Sequence, residues 1–335
     1  MDTTMNAPKK KNFLVRFLNL NTSREPGGRK LPLWRQLLLQ VLTLAIAFEV
    51  MFPILYIITL SLSSSERRPS TLQLFPKEFS LIAFAQVLDR PTANPITFLG
   101  LLKNSILLSV TVGLVAVLIA VLAAYAFSRF KFKLRQVLMI MVFIPLLMPA
   151  VGLSTPLFLL LNSFQLRTCG SGIAILPFMT CTQGGNMLFN LRDSLYGVGI
   201  AMTATALPFA VWNLKGYLDT IPQELEEAAK IDGADPNQVF RLIVLPLAVP
   251  QLAVTFFLSF IGYWQEFTMP WLFLTQPKDY TLSMTLYNMV GQYATSIPWN
   301  RFAAFSIIVA APVAILYLIL QKQIVSGLTA GGVKG

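Results

Sequence analysis

Six apolar runs, each long enough to cross about 30 Å of hydrocarbon, decide what solvent this chain folds in. They are Gln36–Leu62, Leu102–Phe127, Gln136–Leu161, Gly197–Leu214, Leu247–Leu274 and Phe302–Leu320. An open strand edge in lipid leaves backbone groups unpaired, so each run is expected to be a helix. The fold class is therefore all-α, a polytopic membrane bundle of six transmembrane helices over residues 36–320. Composition agrees, with 55% of the 335 residues hydrophobic and 12% charged, about half the charged share of a soluble domain. The first run is too long for a signal-peptide core, and no small-x-small cleavage site follows it.

Basic residues orient the bundle. The net charge is +11, and residues 1–35 carry +6 of it as a basic arm. Arg129, Lys131, Lys133 and Arg135 fill the connection between the second and third runs. Together with Lys215, Lys230, Arg241, Lys322 and Lys334, 17 of the 26 Lys and Arg fall on one side. Cytoplasmic flanks are basic, so both termini are expected on the inner side of the membrane. The outer loops are then 63–100, 162–196 and 275–301, none large enough for a domain of its own. Charge strung along membrane edges, without interleaved aromatics, does not read as a nucleic-acid surface.

Missing residues narrow the chemistry. There is no histidine, which removes Ser-His-Asp and Cys-His nucleophiles and His-ligated metals. No G-x-x-x-x-G-K-[ST] loop occurs, so the chain builds no phosphate cradle of that type. No catalytic residue, metal site or cofactor is expected, and a membrane enzyme would have only scattered carboxylates to work with.

Acidic residues concentrate in one place: six of the fifteen lie between Asp219 and Asp235, in the connection 215–246. Thr220-Ile-Pro222-Gln223 reads as a helix start, with Thr220 as cap. Glu224, Glu226 and Glu227 sit near the positive end of the helix dipole. Leu225, Ala228 and Ala229 form a narrow face, and Gly233 ends the helix in a positive-φ conformation. Asp235, Pro236 and Gln238 start a second helix at once. Two short, capped helices make a rigid knob with an acidic rim, suited to a basic partner or to packing on the protein's own surface.

Glu227-Ala228-Ala229, Gly233, then Ile243-x-Leu245-Pro246 carry the pattern EAA-x3-G-x9-I-x-LP. This loop resembles the signature of ABC importer permeases. Trp264-Gln265-Glu266-Phe267 and the tail Gly327–Gly335 are similar to the MalG-like branch, the carbohydrate permeases of the maltose type. The resemblance implies a type I ABC importer permease fold and import of a sugar or oligosaccharide of the maltose, maltodextrin or trehalose class. It implies that the loop docks on an ATPase through Glu227, Ala228, Ala229, Asp232, Gly233, Ile243, Leu245 and Pro246. The tail 321–335 would touch the same ATPase through Gly327, Gly331, Gly332 and Lys334. The implied partners are two copies of the ABC ATPase, which would bind ATP and Mg, a second MalF-like permease and an extracytoplasmic sugar-binding protein. A non-sugar solute is the alternative within the family.

Three features stand apart. Glu49 and Glu266 lie within apolar runs, where a carboxylate is costly. Glu49 would serve a proton-coupled secondary transporter, the rival to an ATP-driven importer, or face a wet interior or a partner subunit. Glu266 falls in the family's Trp-x-Glu-Phe stretch, with a role in helix packing or the pathway wall, and Gln265 stands where the family more often has Asn. Cys169 and Cys181, the only cysteines, lie in an outer loop longer than the family's, where a disulfide is permitted.

Overall fold

The computed structural model describes residues 32–67, 71, 73–169, 172–176, 187–291 and 297–332. Five of the six apolar runs each supply one helix long enough to cross a membrane. These are α1 (Leu33–Ser61), α3 (Phe98–Arg129), α6 (Leu195–Leu218), α9 (Leu245–Gln265) and α12 (Trp299–Gly332). A short helix, α2 (Ile82–Asp89), lies in the loop between α1 and α3. The third run is broken into α4 (Arg135–Leu147) and α5 (Ala150–Ser163), bent by 105°. Pro145 and Pro149 bracket the break: proline removes a helical donor and disfavours α geometry in the residue before it. The fifth run also stops short of its apolar limit. After Gln265 the chain breaks, then forms α10 (Thr268–Phe273). The bundle thus has five unbroken spans, or six when the bent pair counts as one.

The outer segment 162–196 departs from an all-helical fold. Its strands β1 (Gln165–Cys169), β2 (Gly172–Leu176) and β3 (Met187–Asn190) form an antiparallel sheet in the order β2-β1-β3, with a bulge between Leu166 and Arg167. The remaining elements are α7 (Glu224–Ile231), α8 (Pro236–Gln238), a 3-10 turn at Pro277–Asp279 and α11 (Leu282–Gly291). A π-helical stretch, Val239–Val244, joins α8 to α9.

Helix α3 is the axis of the bundle. One stripe of small residues, Ala116, Ala120 and Ala124, is fully buried, and it packs on Val198, Ala201, Ala210 and Leu214 of α6. Small side chains let two backbones approach closely, which in lipid replaces the missing hydrophobic drive between helices. At Gly113, one turn before Ala116, α3 also meets α9: a Cβ there would stand 3.0 Å from the Phe256 ring. Helix α9 then packs on α12, where Trp264 Nε1 donates to the Val309 carbonyl at 3.1 Å. At the end of α3 away from the basic turn, Asn104 Nδ2 donates to the carbonyls of Lys278 and Tyr280, and Ser105 Oγ accepts from Leu282 N. By contrast α1 is largely unpacked, with only Gln36 and Thr59–Ser61 buried.

Ser194 caps α6 by accepting from Gly197 N at 3.1 Å, and this turn admits no side chain. A Cβ on Gly197 would lie 1.9 Å from the Leu191 carbonyl oxygen, whereas one on Gly216 meets nothing within 4 Å. Gly197→Ala is therefore expected to lower stability by roughly 1–3 kcal/mol through overpacking. Gly216→Ala should raise it by roughly 0.5–1 kcal/mol through the unfolded chain. Thermal unfolding of the detergent-solubilised protein reads both signs, and equal effects at the two positions would contradict the packing described.

Candidate functional site

The acidic connection folds into the predicted knob, but its first helix starts differently. Thr220 does not cap α7; its hydroxyl donates to the Tyr217 carbonyl, and Gln223 occupies the cap position with no side-chain bond. The second start is as expected. Asp235 accepts from the amides of Asn237 and Gln238, while Gln238 Oε1 accepts from Asp235 N, a reciprocal capping box. Gly233 between the helices has φ +90°, in the left-handed region that residues with a Cβ enter at a cost. Its amide donates to Lys230 and that of Ala234 to Ala229, closing the C-terminus of α7.

The faces of the knob are sharply divided. Glu224, Leu225, Glu227, Ala228, Lys230, Ile231, Asp232 and Gly233 are all exposed. Ile231 is 86% and Leu242 71% exposed, on a loop otherwise rich in charge. Among the motif residues, Ala229, Ile243 and Leu245 are half-buried and Pro246 is exposed. Ala229, Ala234, Phe240 and Leu245 pack on a core of Leu214, Leu218, Ile221, Val239, Val244 and Ala248.

Only one residue of α7 is buried, and it is a carboxylate. Glu226 is 4% exposed. Its Oε1 accepts from Arg129 Nε at 2.5 Å, and Oε2 accepts from Tyr125 OH at 3.3 Å. Arg129 also donates from Nη2 to the Ile221 carbonyl and from Nη1 to Ser128 Oγ. Ser128 in turn donates to Asp219 Oδ1 at 2.6 Å, and Lys215 Nζ donates to Asp219 Oδ2 at 2.5 Å. Burial pushes the Asp219 carboxyl up. The hydrogen bonds from Lys215 and Ser128, with the attraction of Lys215 and Arg129, outweigh it and hold the group below its ordinary value. A depressed carboxylate stabilises the fold above its ordinary pKa and loses that contribution only as pH falls through the lowered value. This network was not legible from the sequence, where Glu224, Glu226 and Glu227 look alike.

The other singled-out residues lie elsewhere. Glu49 stands exposed midway along α1, with no hydrogen bond or ion pair among the described residues. A proton path through the bundle would need a carboxylate inside it, and Glu49 is outside. Glu266 caps the break after α9, its Oε1 accepting from Thr268 N at 2.6 Å and Met269 N at 3.2 Å. Gly327, Gly331 and Gly332 lie in the backbone of α12, which continues past the sixth apolar run. Lys334 and Cys181 lie outside the described residues, and Cys169 ends β1. No group of three or more metal-ligating side chains occurs among the described residues.

At the opposite end, a groove of about 440 Å³ is lined by Asn190, Asp193, Tyr196, Lys278 and Asp279 among others. Asp193 accepts from Thr275 N and Oγ1 at 2.8 and 2.6 Å. Burial, helped by the charge of Asp193 and opposed by Lys278, raises the Asp279 carboxyl above its ordinary value. A second groove, between α3 and α6, is mostly apolar, with Thr111, Tyr196 and Thr203 as its polar lining.

The described residues thus form a helical membrane bundle with a capped loop at its basic end. Residues 116–329 match the family described as binding-protein-dependent transport system inner membrane component. The chain belongs to that family, and is a multi-pass inner-membrane transport component. It is 34% identical over 294 residues to the maltose/maltodextrin transport system permease protein MalG of Vibrio vulnificus (strain YJ016), covering 85% of this chain and 91% of the relative. To MalG of Escherichia coli (strain K12) it is 33% identical over 319 residues, covering 93% and 99%. In fold it is similar to a bacterial ABC transporter involved in the import of the acidic polysaccharide alginate, with TM-score 0.64, 21% identity, and coverage of 85% of this chain and 95% of the other. A second structure, of the alginate transporter with an alginate pentasaccharide-bound periplasmic protein, gives TM-score 0.61 at 17% identity, covering 85% and 92%.

Asp235→Ala is expected to cost about 1 kcal/mol of local helix stability, and Gly233→Ala about 1–2 kcal/mol. Both should speed hydrogen exchange at the Asn237 and Gln238 amides, while Glu227→Ala, on the exposed face, should not. Unchanged exchange in Asp235→Ala would contradict the capping box.

Proposed function

We propose that this chain is one half of the translocation pathway of an ATP-driven importer for a sugar or oligosaccharide, with maltose and maltodextrin as its nearest substrate class. A binding protein carrying the sugar docks on the outer loops, and a second, MalF-like permease completes the pathway. Two ATPase subunits bind ATP and Mg and close beneath it. Their closure is passed to the bundle as alternating access. Both termini lie on the ATPase side, as the distribution of basic residues argues.

One observation carries the docking assignment. Ile231, Leu242 and Leu225 are exposed apolar side chains on a capped, charged loop beyond the membrane spans. Exposed apolar surface rimmed by polar residues marks a protein contact, and the acidic rim of Glu224, Glu227 and Asp232 selects a basic cleft. The capped helices suit this work, since a rigid knob passes on displacement that a floppy loop would absorb. The sugar assignment rests on the relatives named above, and on the polar, aromatic-bearing groove around Asn190, Asp193 and Tyr196 at the other end.

Two measurements test the reading. In proteoliposomes holding the complex, the cognate binding protein with a maltodextrin should stimulate ATP hydrolysis; stimulation by a non-sugar solute alone would overturn the substrate class. Ala228→Arg places a bulky cation on the exposed face of α7. It should reduce recovery of the ATPase with the permease about tenfold or more without lowering the Tm of the permease. Full recovery would remove α7 from the interface.

A further inference from the structure

We infer that the Arg129–Glu226 pair is the mechanical link that fixes α7 to α3, so that movement imposed on the knob enters the bundle through the end of α3. The inference rests on the proposed docking role of the loop and adds to it a pair of positioning residues. Three observations carry it.

Helix α7 has eight residues, and Glu226 alone among them is buried. Its flanks are anchored through Ile221 and Ala234, and within the helix body only the single methyl of Ala229 joins Glu226 against the protein. The partners of Glu226 all come from the last two turns of α3. Arg129 grips three successive segments: the Glu226 carboxylate, the Ile221 carbonyl in the linker, and, through Ser128, Asp219 at the end of α6. Tyr125 joins the second helical segment to the same point, its ring lying 4.9 Å from that of Phe240 while its hydroxyl reaches Glu226.

The pair is also desolvated, with Arg129 and Glu226 side chains 7% and 5% exposed. Exposed ion pairs break and re-form at little cost. A buried pair cannot separate without leaving an uncompensated charge inside the protein, so it resists being pulled apart when the knob is displaced. The guanidinium adds direction, because its planar fork bonds the carboxylate and the Ile221 carbonyl at once. Helix α3 is the element best placed to receive the movement, since its small residues pack on α6 and, at Gly113, on α9. Adjacent carboxylates thus have opposite tasks: Glu227 faces the ATPase, and Glu226 holds the helix that presents it.

Sugar taken up per ATP hydrolysed, measured in proteoliposomes of the reconstituted complex, separates this role from docking. Glu226→Gln should leave the ATPase bound and hydrolysing ATP, while uptake per ATP falls about tenfold. Glu227→Gln should instead weaken ATPase recovery and leave the ratio unchanged in the complexes that form. If Glu226→Gln fails to assemble because Arg129 is left buried and unpaired, the double variant Arg129→Gln/Glu226→Gln removes both charges and is expected to assemble with the same loss of coupling. Unchanged uptake per ATP in either assembled variant overturns the inference. A double variant that does not assemble assigns the pair to folding alone and overturns it as well. Failure of the docking reading looks different: Ala228→Arg would leave recovery of the ATPase with the permease unchanged.

Discussion

The ion pair between Arg129 and Glu226 joins the capped loop at the basic end of the bundle to the helices that sit in lipid. Without it, α7 would be eight residues held at its ends and by the methyl group of Ala229, with its other side chains exposed. Its burial draws Tyr125, Ser128, Asp219 and Lys215 into one network. The end of α3 becomes a socket for the loop. That socket lies outside the hydrocarbon: 32 residues of helix extend about 48 Å, well beyond the roughly 30 Å core. A charge pair there avoids the full cost of lipid yet remains shielded from water.

The rest of the bundle follows from the same helix. Lipid supplies no hydrophobic drive between spans, so α3 holds its neighbours by close backbone approach and by polar groups that reach across. Alanines 116, 120 and 124 admit α6, and Gly113 admits α9. At the far end Asn104 and Ser105 bond the loop that leads into α11. One helix thus touches the loop at the basic end and the loops at the opposite end. In the proposed importer this continuity is what alternating access needs, since closure of the ATPases on one side must be felt by a docked binding protein on the other.

Much of this was legible in the sequence, and the misses have physical causes. The spans follow from apolar runs because lipid leaves the backbone few options. The Asp235 capping box and the turn at Gly233 follow from local chemistry, in which partners lie within three or four residues. What failed depended on distant or competing partners. Thr220 has a hydroxyl that can cap but finds the Tyr217 carbonyl first. Prolines 145 and 149 lie in an apolar run that reads as a single span, and only their spacing around Met148 makes a break. The strands Gln165–Cys169, Gly172–Leu176 and Met187–Asn190 lie in a segment that reads as an outer loop, because their pairing partners are set by the sheet and not by any one strand. Glu226 was the deepest miss, since its partner Arg129 is 97 positions away. An arginine ending one span and a run of glutamates in a later loop are the only signal, and neither alone points to the other.

The central claim is that α7 and α3 move as one body. Spin labels at the exposed positions Leu122 on α3 and Lys230 on α7 allow a pulsed dipolar measurement of that distance in the assembled complex. The account predicts one narrow distribution that stays in place between the nucleotide-free and ATP-bound states, while the distance from Leu122 to a label in the second permease shifts. A Leu122–Lys230 distance that shifts or broadens when ATP binds would contradict it, because the knob would then be moving against the bundle it is said to drive.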